Sequence, residues 1–152
     1  PADRPVSRTG TVYGPEFILG VMSELFVVAR QYAEHGGIHS AALCDNRGLL
    51  LHAEDIGRHN TIDRIAGQSL QRGIDAGDKL LVASGRVSSE MVAKAVRLGV
   101  TALASRTSPT SLAVDVCKEF DVGLAGYVRG GKMEIYANPH RFGVCHTVKD
   151  GT

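Results

Sequence analysis

The amino-acid sequence predicts a three-layer α/β/α domain built on a mixed sheet. Three observations carry that class. Short apolar runs alternate with amphipathic segments over 79–120, the rhythm of strand–helix–strand units whose sheet is covered on both faces. Two pairs of strand-like runs, one around Asn46-Arg47-Gly48 and one around Arg129-Gly130-Gly131, read as hairpins and add antiparallel strands to the same sheet. At 152 residues the chain has the length of one domain, enough to bury roughly two thirds of its unfolded surface.

Each element has its own reason. Residues 1–14 show no apolar period and read as a flexible N-terminal tail; the α/β domain is expected over 15–142, followed by a second tail over 143–152. From Pro15 to about Glu34 a broad apolar face with proline in the first turn predicts a helix, which His35-Gly36-Gly37 stop. "HSAALCD" and "GLLLHAE" flank the first hairpin turn. A helix from about Asn60 to Arg72 follows, with Asn60 as its N-cap and Gly73 at its end. "KLLVAS" and "VTALAS" read as buried strands. Each leads into an amphipathic helix: the first ends at Gly99, and the second has Ser108-Pro109 as N-cap and first turn. "VGLAGYV" and "KMEIYA" close the sheet around the second hairpin turn.

Composition narrows the function. Hydrophobic residues at 43% and charged residues at 22% are ordinary for a globular protein, and a net charge of +1 gives no general pull toward nucleic acid or an anionic membrane. No apolar run approaches the ~18 residues of a membrane span. Three cysteines, Cys44, Cys117 and Cys145, are far apart and form no C-x-x-C, so neither a zinc ribbon nor a dithiol motif is indicated, and no metal site is expected. An odd cysteine count without a signal peptide fits a reducing, cytoplasmic setting. The opening "PADRPVSRTG", without methionine, suggests a processed product or a piece of something longer. Twelve arginines against five lysines favour a planar, bidentate grip on phosphate or carboxylate, unless arginine-rich codon usage accounts for them.

The stretch "EDIGRHNTID" points to where that grip would act. Arg58 and His59 stand at a helix start, where positive charge opposes the helix dipole. In open α/β sheets, ligands gather at the carboxyl ends of the parallel strands, beside helix N-termini. Three strand-to-helix junctions occur here, and each carries an arginine: Arg58, Arg86 and Arg106. Arg129 follows a fourth strand onto the same expected rim. An anion bound there would balance the guanidinium groups and use the free helix N–H groups, so the junctions predict a phosphate-bearing ligand.

The candidate binding residues are Glu54, Asp55, Gly57, Arg58, His59, Asn60 and Asp63 at the first junction, and Ser84, Gly85, Arg86 and Ser88 at the second. At the third they are Ser105, Arg106, Ser108 and Thr110, with Arg129 beyond. The acidic residues would read a base edge or ribose, or else cap the helix and pair with Arg58. Glu90 and Lys94 read as a solvated i,i+4 pair. His39 reads as a strand histidine or a general base. No catalytic residue is assigned. Cys44 and Cys117 read as core positions, and Cys145, beside His146, sits in the tail. "HAE" at 52–54 is half of a zinc deaminase signature whose P-C-x-x-C half is missing. A hydrolase using Glu54 or Asp55 as base on a phosphorylated nucleoside is one rival reading.

In order, "GGIHSAAL", "EDIGRHNTID", "SGRVSSEMVAKA", "SRTSPTSLAV" and "GYVRGGKMEIY" resemble the formate dehydrogenase accessory sulfurtransferase family over about residues 36–142. The resemblance implies a cytidine deaminase-like fold without the zinc site. It also implies binding of a molybdenum, or tungsten, bis(molybdopterin guanine dinucleotide) cofactor as a client, with GDP as a partial analogue. Sulfur would pass to that cofactor from a cysteine desulfurase, and the product would go to formate dehydrogenase. A homodimer fits the family. The family's sulfur-carrying C-x-x-C lies upstream of this region and is absent from the chain, so a non-catalytic cofactor carrier is the second reading.

Overall fold

The computed structural model describes residues 11–30 and 39–144. In chain order the elements are α1 (Pro15–Arg30), β1 (His39–Asp45), β2 (Gly48–Asp55), α2 (Arg58–Arg72), β3 (Leu80–Ala83), α3 (Ser89–Leu98), β4 (Ala102–Ser105), α4 (Ser111–Phe120), β5 (Gly123–Arg129) and β6 (Lys132–Ala137). A short 3-10 turn, Pro139–Phe142, follows. The six strands form one mixed sheet in the order β2-β1-β3-β4-β5-β6.

Strand direction decides what the sheet offers a ligand. β3, β4 and β5 are parallel, while β1 is antiparallel to both β2 and β3. β2 therefore runs in the same sense as β3, and the carboxyl ends of β2, β3, β4 and β5 share one edge. The reversed strands β1 and β6 contribute their first residues to that edge, with His39 opposite Asp55 and Arg129 opposite Lys132.

The sheet is covered on both faces. α1 packs Ile18, Val21, Met22 and Leu25 on Ala42, Cys44, Leu80, Val82, Ala104 and Ala125. On the other face α2, α3 and α4 place Ile62, Ile65, Met91, Val92 and Cys117 on Ala41, Leu43, Leu81, Leu103 and Leu124. Neighbouring strand residues go to opposite layers, as the period of two requires. The strands read as continuous apolar runs because both faces are buried. Each fully buried Leu or Ile contributes roughly 1.5–3 kcal/mol.

The ends of the helices differ from expectation at two places. α2 begins at Arg58, with Gly57 as a cap lacking a side-chain bond. Asn60 is the third helical residue rather than the N-cap, and its Nδ2 donates to Asp55 at 3.2 Å. α4 is capped by Thr110, whose Oγ1 accepts from Ala113 N, instead of by Ser108. The cause is a bridge between Val87 and Pro109. Val87 N donates to Ser108 O and Thr110 N donates to Val87 O, which keeps Ser108-Pro109 extended until the next hydroxyl can cap.

At the amino ends of the parallel strands the chain ties itself together. Tyr13, assigned by sequence to the tail, is 2% exposed and donates its hydroxyl to Asp78 O at 2.8 Å. Thr11 N and Oγ1 donate to the Asp78 carboxylate. Asp121 accepts from buried Arg141 at 2.9 Å and faces His140 at 3.0 Å. Among the described residues no helix is long and apolar enough to cross a membrane.

Candidate functional site

All three predicted junctions lie on the shared carboxyl edge, at the starts of α2, α3 and α4. They touch one another. A Cβ placed on Gly85, in the turn after β3, would stand 3.0 Å from His39 Nδ1 and 3.7 Å from Arg58 Cβ. Ser105 Oγ, at the end of β4, donates to Gly85 O at 2.6 Å and accepts from Thr107 N. Arg106 N donates to Ala83 O.

The predicted acceptors and hydroxyls are largely engaged within the protein. Glu54 accepts from Ser40 Oγ at 2.6 Å and pairs with His52. Asp55 accepts from Gly57 N at 3.0 Å, from Arg64 Nε at 2.7 Å and from Asn60. The Gly57 N–H above all, then Arg64 and Asn60, pull its carboxyl down to about pKa 2. Asp55 thus does the turn-fixing work expected of Asn60. Asp63 pairs with Lys94 at 2.6 Å, which replaces the expected Glu90–Lys94 pair. Ser84 Oγ accepts from Ser40 N and extends the β1–β3 ladder. Ser88 and Thr110 cap α3 and α4. Ser108 takes part through its carbonyl.

A chain of three side chains joins the first two junctions. Ser88 Oγ lies 3.0 Å from Nε2 of His59, and His59 Nδ1 lies 3.4 Å from Glu90 Oε2. Glu90 is therefore drawn across to α2 and not down its own helix toward Lys94.

The arginines remain available. Arg86, Arg106 and Arg129 are exposed, and with Arg58 they have no acidic partner among the described residues. Arg58 Nε is buried without a hydrogen-bond partner, an orphaned donor that an anion would satisfy. Arg106 stacks over the Phe26 ring of α1 at 4.9 Å, and Arg129 over Tyr127 at 5.2 Å. The rim therefore divides into two parts. Arg58, His59 and Arg86 stand where α2 and α3 begin, whereas Arg106 and Arg129 face the α1 layer.

On that second side an open cavity of about 580 Å³ is lined by Leu19, Met22, Phe26, Val128, Arg106 and Arg129, with Gly130 and Gly131 at its border. Sequence reasoning pointed to its two arginines and missed its apolar wall. α1 reads as a core helix, and the outward turn that carries Phe26 gives no separate signal. Beside that cavity Tyr127 lies beneath Arg129, a placement the sequence does not signal. It is held at φ +52 at an irregularity between Gly126 and Arg129, and its N–H donates to Thr107 O. Gly126 is required there, because a Cβ would meet Tyr136 at 2.9 Å and Thr107 O at 3.0 Å.

The described thiols are not part of the site. Cys44 and Cys117 are fully buried, and burial pushes both up to about pKa 12. Cys145 and His146 lie outside the described residues.

Fold and rim together define an α/β protein that gathers guanidinium groups at the carboxyl ends of its aligned strands. The chain belongs to the FdhD/NarQ family, whose profile matches residues 2–143. It is 41% identical over 127 residues to the sulfur carrier protein FdhD of Bacillus subtilis (strain 168), covering 84% of this chain and 48% of that protein. It is 40% identical, over the same shares, to the sulfur carrier protein FdhD of Staphylococcus aureus (strain MRSA252). In structure it is similar to a protein from Desulfotalea psychrophila described as a formate dehydrogenase accessory protein. The TM-score is 0.79 at 28% identity, over 91% of this chain and 58% of that one. The chain thus spans about half the length of the curated relatives it matches.

Proposed function

We propose that this chain is the cofactor-binding part of an FdhD-type sulfur carrier that serves formate dehydrogenase. Its cargo is a molybdenum or tungsten bis(molybdopterin guanine dinucleotide), held by its pyrophosphates on the arginine rim. The observation that carries this reading is the set of four arginines without acidic partners on one strand-end edge, with Arg58 Nε buried and unsatisfied. Guanidinium forks and free helix N–H groups suit a pyrophosphate, and the apolar wall of the Arg106–Arg129 cavity suits a flat heterocycle. Asp63 and Asn60, proposed by sequence to read guanine or ribose, would have to exchange their present partners Lys94 and Asp55 to do so.

In this reading sulfur arrives from a cysteine desulfurase as a persulfide and passes to the metal of the cargo, in the cytoplasm and on a homodimer. The deaminase-like fold is part of the same proposal. A second reading, a carrier that holds and delivers cofactor without moving sulfur, is favoured for the described residues by one observation. Both of their thiols are sealed in the core and held in the protonated form, which is a poor sulfur acceptor.

The test is calorimetric titration with GDP, with ADP as control, on the wild type and on Arg86→Ala. Micromolar GDP binding that is weaker for ADP and falls at least tenfold in the variant supports the rim. No GDP binding by the folded chain would withdraw it.

A further inference from the structure

The Ser88–His59–Glu90 chain has the connectivity of a nucleophile, a base and an orienting carboxylate. We infer that Ser88 is a latent nucleophile that accepts an acyl group from activated carboxylic esters, with His59 as its base. Ser88 Oγ is 3.0 Å from His59 Nε2, and the other ring nitrogen is 3.4 Å from Glu90 Oε2. That order matches the geometric requirement for an activated hydroxyl, in which the base bonds the nucleophile and a third group fixes the base. In the tautomer whose Nδ1–H faces Glu90, Nε2 accepts from the Ser88 hydroxyl, while Ser88 Oγ accepts from Met91 N. The serine stands at the first turn of α3, whose Ser89 and Glu90 N–H groups have no acceptor among the described residues, so two donors are at hand for the oxygen of a tetrahedral adduct.

The same geometry sets the substrate class. Glu90 is 77% exposed and its contact to His59 is long, so the base is weakly held. A relay of that strength serves leaving groups that depart readily, such as aryl ester oxygens, and not amides. In the acylation step the Ser88 Oγ–C bond forms, the ester C–O bond breaks, and the serine proton passes through His59 Nε2 to the departing alkoxide or phenoxide. In deacylation a water gives its proton to His59, its oxygen takes the acyl carbon, and Ser88 recovers the proton as the acid leaves. No redox partner is required. This activity draws on Ser88 and His59, which are also candidate binding residues, but cofactor binding by itself needs no hydroxyl nucleophile. It also replaces the hydrolase reading that used Glu54 or Asp55, since both carboxylates are committed to internal bonds.

The experiment exposes the chain to p-nitrophenyl acetate, follows p-nitrophenolate release, and locates the acetyl group by peptide mass spectrometry. The expected result is one acetyl on Ser88, with initial release at least tenfold faster than in His59→Gln and several-fold faster than in Glu90→Gln. Ser88→Asn keeps a capping side chain and removes the nucleophile, so it should stay folded by circular dichroism and lose the label. Acetylation only on lysine, tyrosine or the terminal amine overturns the inference, as does no acetylation at all. Labelling of Ser88 at an unchanged rate in His59→Gln overturns it too. GDP titration of Glu90→Gln, a residue outside the candidate binding set, separates this outcome from the rim, because retained binding with slowed labelling leaves the anion site standing.

Discussion

At the amino ends of β3 and β5, Asp78 accepts hydrogen bonds from Thr11 and Asp121 pairs with Arg141 and His140, so each carboxylate there has a partner a few ångströms away. At the carboxyl ends of the aligned strands, Arg58, Arg86, Arg106 and Arg129 face no carboxylate among the described residues. The first edge closes the fold by joining residues distant in sequence. The second leaves positive charge without a carboxylate partner, three of its four arginines at strand-to-helix junctions, where an incoming anion would be favoured. On the proposed reading one sheet has an edge for stability and an edge for binding, and substitutions of charged residues at the two should separate.

The largest separation is expected at Asp121. Asp121→Asn tolerates the left-handed backbone at φ +59 but withdraws the carboxylate that pairs with the buried Arg141 guanidinium. Stability should fall by about 2–4 kcal/mol in urea unfolding, with GDP binding unchanged under native conditions. A loss below about 0.5 kcal/mol would break the assignment of that edge to stability.

Gly126→Ala sits on the proposed binding edge yet carries a packing penalty, since the new methyl meets Tyr136 and Thr107 O. A loss of about 1–3 kcal/mol is expected from overpacking, together with weaker anion binding as the 107 turn shifts. It is the one rim change that should move both readouts. Arg106→Gln with Arg129→Gln should do the reverse of Asp121→Asn. Stability should stay within about 0.5 kcal/mol, while affinity for GDP drops tenfold or more, equivalent to at least about 1.4 kcal/mol.

The smallest effect is acid sensitivity at the start of α2. Asp55 has its carboxyl lowered from 3.8 to about 2 in the folded protein, so its contribution is complete above about pH 4. That contribution is lost as pH falls through 2. Wild-type stability should therefore decline more steeply over this window than that of Asp55→Asn, measured by urea midpoints at pH 4, 3 and 2.

Much of this contrast was legible in the sequence, and the remainder has identifiable physical causes. The order of strands and helices followed from apolar period and glycine stops, and the three arginine junctions followed from that order. The Ser108 cap failed because Val87 pairs with Pro109 across the sheet end, a contact between residues 22 positions apart that no local rule contains. Asn60 failed as a cap because Asp55 reaches Gly57 N first and starts the helix two residues early. Tyr13 was placed in the tail because one aromatic has no period; only the closed amino-end edge reveals why it is buried. The division of the four arginines between two layers was also invisible, since it depends on how Arg106 leaves β4 toward Phe26.

Tyr127 carries a further consequence. Its left-handed backbone costs roughly 1–2 kcal/mol relative to glycine, and its ring lies beneath Arg129. Under drift governed by folding alone, that position would relax toward glycine or asparagine. On the proposed reading, a lineage released from ligand binding should lose this tyrosine before it loses the core beneath, which would make residue 127 a historical marker of rim use.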